Sequence, residues 1–374
     1  MMTRSLNLMM AASVAGLLGF YLLFATVPLY AATGGAGEFG AGAATGVMML
    51  ATVLAELAVP ALLSRLGYRT VLALGLTLLG LPALLLPLSA ALPLVLAVSL
   101  LRGAGLGVLV VTGTALTAEL VPADRRAEGL GLYGVAVGVP SILGLPLGLW
   151  AGGTLGFTPV FVVAGLVPLA GLVAVFGLPE IARPTAGPRR TGPERWSGMR
   201  GLAAPALIFA AVTTATGVVV TFLPLAGSPE LASAALLTQS LTTPVARWLA
   251  GRFGDRHGSA RLLVPGLLAA VTGVALQVWI GSPVAVVAGM AVFGAGFGLL
   301  QNATLALMFE RGEAATVSAL WNLAYDSGMG VGAIGFGLVL GHTGYAAGFA
   351  LVAALMAVTL PLARVRPAYA LLPR

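Results

Sequence analysis

Residues 251–261 read "GRFGDRHGSAR". A long apolar stretch ends just before them and another begins just after. The segment packs three Arg, one Asp, one His and three Gly into a chain in which only 8% of residues are charged. A fainter copy, "PALLSRLGYR" at 60–69, lies 191 residues upstream and lacks the acid. Two polar turns, each between long apolar runs, set the frame for the whole chain.

The runs decide the class. Of 374 residues, 59% are hydrophobic, and the remainder could not cover a soluble surface. Continuous apolar runs of about 20 residues are membrane-spanning helices, because only a helix satisfies its own backbone in lipid. Transmembrane barrels alternate apolar and polar residues, and these runs do not. The chain has no Cys, which excludes disulfides and thiol chemistry. Its two His, His257 and His342, stand in separate loops without an HExxH pattern, so no metal site or other cofactor is expected. The net charge of +7 does not point to nucleic acid, because all 19 basic residues are Arg spread over short turns.

The sequence divides into twelve runs, at 6–30, 40–63, 70–88, 93–117, 127–150, 157–179, 203–226, 231–250, 262–281, 283–309, 314–340 and 344–363. The first follows Arg4 and passes a "YAAT" that faintly resembles a cleavage site, but it is too long for a signal peptide and is read as a retained span. Between the sixth and seventh runs, "PEIARPTAGPRRTGPERWSGMR" is rich in Pro, Gly and Arg and reads as a linker, with a surface helix near Trp196. With the N-terminus inside, 18 of the 19 Arg fall on cytoplasmic segments, counting Arg247 at the cytoplasmic end of its run, and none on the outside loops; Arg102 alone lies deep within a span. That asymmetry predicts twelve helices with both termini cytoplasmic.

Internal similarity runs through the chain. Arg65-Leu66-Gly67 matches Arg256-His257-Gly258 at an offset of 191. "RGAGLG" at 102–107 matches "FGAGFG" at 293–298 at the same offset, and "GFTPVF" at 156–161 resembles "GYAAGF" at 344–349 at an offset of 188. The reading is two six-helix bundles, 1–180 and 203–374, joined by a cytoplasmic linker at 181–202. Paired halves predict a central pathway and alternating access.

At these residues the chain resembles the major facilitator superfamily, over essentially its whole length. Gly251, Asp255, Arg256, Gly258 and Arg261 fill the loop motif G-x-x-x-D-R-x-G-x-x-R. The first-half copy keeps Arg65, Gly67 and Arg69, with Ser64 in place of the acid and Pro60 in place of the leading Gly. "SLLRGAGLG" resembles the fourth-helix motif with its buried Arg, here Arg102, and "ELVPADRRAEGLGLYG" resembles the connection to the fifth helix. There, Gly134, Gly138, Pro140 and Gly144 approximate the antiporter motif of export-type members, although Val139 interrupts its Gly-Pro pair. The resemblance implies a drug or metabolite–proton antiporter.

Within that reading the loop glycines permit close backbone approach. Asp255 is expected to latch the cytoplasmic side through Arg256 locally or through Arg125 and Arg126. Glu310 and Glu313 are the candidate partners of Arg65 and Arg69. The alternative is that these Arg are topology anchors only.

Three charges lie well within spans: Glu56, Arg102 and Asp326. Each costs roughly 2.5–3.5 kcal/mol to insert, so each should face the interior or water. Burial raises a carboxyl's affinity for its proton, which suits a proton carrier. Asp326 is the leading candidate, about thirteen residues and roughly 20 Å into its run, near the midplane. Asn322, Tyr325 and Asp326 share one helix face. The alternative is a protonated Asp bonded to a neighbouring helix. Glu56 shares a stripe with Thr45, Met49 and Thr52 and lines the pathway or bonds across helices. Arg102 is either a proton-transfer residue, as the resemblance implies, or a strut. Other cavity candidates are Tyr21, Phe24, Tyr133, Gln239, Gln301 and Asn302, with ordinary packing as the alternative for each.

The expected function is secondary active transport of a small organic molecule across the cytoplasmic membrane, as proton-coupled export by a monomer. Sodium coupling, uniport and uptake of a metabolite or sugar by symport are the alternatives within transport. A membrane-embedded enzyme would need clustered acids for metal, and no such cluster lies in a span; a sensor would carry a soluble domain, and the linker of roughly twenty residues is too short for one.

Overall fold

The structure, a computed structural model, describes residues 4–121, 126–179, 194–312 and 314–363, and every regular element among them is helical. The chain opens with α1 (Arg4–Phe24) and α2 (Thr26–Ala31), followed by a π-helical turn at Ala32–Ala36. Next come α3 (Gly37–Leu66) and α4 (Tyr68–Gly80). Helix α4 continues as a 3₁₀ segment, Leu81–Leu88, which carries Pro82 and Pro87. The first part then completes with α5 (Leu92–Leu120), α6 (Arg126–Leu155) and α7 (Phe157–Phe176). The second part holds α8 (Glu194–Ala226), α9 (Pro229–His257), α10 (Leu263–Ala275), α11 (Pro283–Phe309), α12 (Ala314–Ala357) and the short α13 (Leu360–Ala363).

Among the described residues, nine segments are long and apolar enough to cross a membrane. The sequence divides into twelve runs, and the physical reasons for the difference are visible. Arg4–Leu66 is 63 residues long and Thr316–Ala363 is 48, each far beyond one bilayer. The first is broken at Gly35 and Gly37, with φ of 104° and 59°, and the second at Gly344, with φ of 71°. Helix α9 is not among the nine, because Thr238, Gln239, Ser240, Thr242 and Thr243 crowd its middle. Its threonine hydroxyls are absorbed by the helix itself: Thr238 donates to Ala234 O (2.8 Å), Thr242 to Thr238 O (3.0 Å) and Thr243 to Gln239 O (2.8 Å).

The chain forms two compact units, Met1–Arg189 with Val220–Ser233, and Arg190–Val219 with Ala234–Arg374. In the first unit, Gly103 of α5 lies against the carbonyl of Met48 on α3, and Gly107 against that of Thr52. A β-carbon at Gly107 would sit 2.5 Å from that oxygen. On the other side of α5, a β-carbon at Gly105 would meet Gly75 O of α4 at 2.8 Å. Helix α5 is therefore in backbone contact with two neighbours through alternate glycines.

The second unit repeats this at the same offset. Gly294 of α11 lies against Gln239 of α9, Gly298 against Thr243 O, and Gly296 against Gly266 O of α10. Each partner is 191 residues from its counterpart: Met48 and Gln239, Thr52 and Thr243, Gly75 and Gly266. A second crossing recurs too. Gly144 and Gly148 of α6 lie on Tyr21 and Leu22 of α1, while Gly328 and Gly332 of α12 lie on Thr213 and Thr214 of α8. The turns agree as well. Gly67 and Gly258 have φ of 77° and 87°, and Gly156 and Gly344 have 84° and 71°. Only glycine enters that region without strain.

These crossings predict a graded mutational pattern. Gly103→Ala and Gly298→Ala place a methyl against backbone that cannot yield, and each should cost about 1–3 kcal/mol. Gly134 and Gly335 face open space, so alanine there should be neutral or slightly stabilising. Thermal melts of the purified variants in detergent check the ranking.

Candidate functional site

Polar groups in the first unit gather around Arg102. Its side chain is 2% exposed. One guanidinium nitrogen donates to Leu79 O of α4 (2.8 Å) and another to Gly19 O of α1 (3.0 Å). No carboxylate of the described residues pairs with it; its partners are main-chain carbonyls. Beside it lies a small cavity lined by Phe24, Thr45, Met48 and Ser99 together with apolar residues of α1 and α2. The Thr45 hydroxyl meets that of Thr221 at 2.9 Å, and Ser233 donates to Pro146 O at 2.8 Å. Both partners belong to Val220–Ser233, the part of α8 and α9 that falls in this unit.

The other first-unit candidates take separate positions. Tyr21 is half-buried, and its ring meets Phe20 edge-on at 4.9 Å, while Phe24 stacks on Phe20 at 4.9 Å. Glu56 is half-buried, with its stem packed over Gly107. Tyr133 is buried, and its hydroxyl donates to Ser13 at 3.5 Å. Ser13 and Thr117 in turn both donate to the Met9 sulfur. In the turn, Arg69 donates to Phe176 O at the end of α7 (2.9 Å) and lies over the Phe176 ring. That carbonyl is one of the orphan acceptors of a helix C-terminus, so among the described residues the partner of Arg69 is a carbonyl and a ring. Arg65 is exposed and Gly67 buried.

The second unit carries an aromatic stack that sequence reading missed. Phe209 of α8 stacks on Trp321 of α12 at 4.4 Å and lies 5.8 Å from Tyr325. Phe297 of α11 is 6.3 Å from both Phe209 and Tyr325, and Phe293 stacks on Phe297 at 6.0 Å. The Trp321 indole donates to Thr304 (3.4 Å). Trp321 and Tyr325 are one turn apart, which was the available signal; Phe209 had none. Asp326 follows Tyr325 and is 8% exposed. Gln239 and Gln301 are buried; Asn302 and Asn322 are half-buried, with the Asn302 amide beside Gly251. The helix face 321–332 thus combines stacked rings, a buried acid and glycines in contact with α8.

At the 251–261 turn, Asp255, Arg256, Gly258 and Arg261 are exposed and Gly251 is half-buried. Arg252 lies over the exposed Trp248 ring at 4.8 Å, and His257 stacks on Phe253 at 4.5 Å. An exposed Trp with a cation beside it suits a membrane–water interface. Glu310 is exposed, while neighbouring Arg311 donates to Gly201 O (3.2 Å). Arg125, Glu313 and the side chain of Arg126 lie outside the described residues. Among the described residues no group of three or more His, Cys, Asp or Glu could hold a metal ion.

Comparison with known proteins agrees with this architecture. A Mycobacterium tuberculosis protein described as an uncharacterized MFS-type transporter is 30% identical over 254 residues. The match covers 65% of this chain and 32% of the relative, so it spans about a third of that relative's length. In fold, the chain is similar to a crystal structure of the peptide transporter POT in complex with sulfate, with a TM-score of 0.79 at 17% identity, covering 96% of this chain and 93% of that one. It is also similar to the nucleoside transporter NupG, with a TM-score of 0.74 at 15% identity, covering 97% and 100%. The family profile of the Major Facilitator Superfamily matches residues 9–333. The chain is a multi-pass membrane protein and belongs to the Major Facilitator Superfamily.

Proposed function

We propose that the protein is a secondary active transporter that exports a small organic molecule across the cytoplasmic membrane by alternating access, coupled to protons. The observation that carries this reading is the recurrence of one helix crossing at an offset of 191 in both units. Two equivalent bodies of this kind can rock while their internal packing is preserved. The proposed topology has twelve crossings with both termini cytoplasmic, supported by the Arg asymmetry and by the glycine breaks in the two longest segments. The proposed organisation is two bundles, 1–180 and 203–374, with the linker at 181–202, whose last residues from Glu194 onward already belong to α8.

Proton coupling rests on Asp326. A buried carboxyl in lipid is costly enough that it marks a functional site by default. The rings of Phe209, Trp321 and Tyr325, two of them on the same helix α12, suit a substrate with a flat apolar part. Uptake of a metabolite or sugar by symport is the second reading. The loop at 251–261 is proposed as a gate whose balance depends on Asp255.

Three outcomes follow. The absence of native Cys allows single-cysteine topology mapping. Cysteines at Ser89 and Ser282, both exposed, should react with an impermeant maleimide in intact cells, and one at His257 only after permeabilisation. In proteoliposomes offered hydrophobic dyes, nucleosides and dipeptides, a transported compound should release protons. Asp326→Asn should lower gradient-driven transport at least tenfold while leaving substrate exchange measurable; intact coupling in that variant contradicts the assignment. Asp255→Asn should shift spin-label distances at the cytoplasmic ends more than Ser64→Ala, and equal shifts contradict the gate.

A further inference from the structure

The cavity beside Arg102 has a chemistry that the transport reading does not use. We infer that it is a binding site for a small monovalent anion or for the carboxylate oxygen of a carboxylate-bearing substrate. The inference stands whether transport is export or uptake.

The argument starts from unmet hydrogen bonding. A guanidinium has five N–H donors and stays charged. Two of its hydrogen bonds go to the Leu79 and Gly19 carbonyls, and no carboxylate of the described residues neutralises it. A buried charge with no counter-charge is among the most costly arrangements in a protein interior. Ser99 lines the same cavity, is 2% exposed, and has no hydrogen-bond partner among the described residues. Thr45 brings a second hydroxyl to the lining. Guanidinium N–H groups only donate, and hydroxyls can donate, so the matching occupant is one that only accepts and carries negative charge. The space as it stands is about the size of one water, so a halide or a carboxylate oxygen enters with a small outward shift of its apolar walls, among them Leu23, Phe24 and Met48.

The repeat supplies the second line. The 191-residue counterpart of Arg102 is Phe293, which is fully buried in the second unit at the same crossing. The crossing is therefore built without a cation in one unit and with one in the other. Helix packing does not require the charge, so Arg102 serves something particular to the first unit.

The test uses the full chain, purified in detergent and exchanged into sulfate, a larger dianion without a carboxylate. Chloride, bromide and acetate are titrated separately at constant ionic strength, with the melting temperature as readout, and bromide is located by anomalous scattering. Saturable stabilisation by at least one anion and bromide density beside Arg102 are expected. Ser99→Ala should weaken the apparent affinity about tenfold, and Arg102→Met should abolish the dependence. Ser99→Ala keeps the charge in place, so it decides the matter even if Arg102→Met fails to fold. Acetate competing with bromide points to a substrate carboxylate; halide binding without acetate competition points to a free inorganic anion. A melting temperature indifferent to all three anions, no bromide density, or affinities unchanged by Ser99→Ala would overturn the inference and leave water as the occupant.

Discussion

Backbone-to-backbone contact through glycine is the constraint on which the rest of this protein depends. Lipid offers helices no hydrophobic incentive to associate, so they must gain cohesion from close packing. Helix α5 solves this with Gly103 and Gly107 on one neighbour and Gly105 on another, and α11 does the same with Gly294, Gly298 and Gly296. Once a helix is held on two sides by contacts that admit no side chain, its rotation and depth are fixed. The positions of Arg102, between the glycines of α5 and the carbonyls of α1 and α4, and of Gln301, one turn beyond Gly298, follow from that fixing.

Polar groups are then placed by what the packed helices leave available. Most hydroxyls in the spans bond to carbonyls one turn back, as at Thr77, Thr114 and Thr304, and so add little beyond their own helix. Others tie elements together, among them Thr52 to Gly103 O, Thr213 to Ala324 O and Ser233 to Pro146 O. Charges within spans are fewer still. Arg102 is held by carbonyls of two other helices, while Glu56 keeps its stem on Gly107 and stays only half-buried. The first unit thus buries a cation, Arg102, and the second an acid, Asp326, on the helix that also carries Trp321 and Tyr325 of the ring stack.

Much of this was legible in the sequence because the signal was repeated. "RGAGLG" and "FGAGFG" announced both the 191-residue repeat and the close contacts that the glycines make. The pairs Gly67 and Gly258, and Gly156 and Gly344, marked turns that need positive φ. Span boundaries were less legible, because α1, α2, the π-helical turn and α3 form one continuous 63-residue stretch whose break depends on local glycine geometry. Side-chain partners were not legible at all. Among the described residues the partner of Arg69 is the Phe176 carbonyl at a helix end, which no local pattern announces. The ring stack of Phe209, Trp321 and Tyr325 joins residues more than a hundred positions apart, and no local pattern announces such a meeting. Thr221 and Ser233 bond within the first unit, although the sequence repeat assigns them to the second half.

The central claim is that both units are the same rigid body built on one crossing. The direct measurement is a pair of spin-label distances at positions related by 191 residues, Leu54 with Leu101 on α3 and α5, and Val245 with Val292 on α9 and α11. Electron paramagnetic resonance on the reconstituted protein, with and without a proton gradient, should give two matching distances that do not change. Distances that differ between the units, or that shift within either one when the gradient is applied, would contradict it.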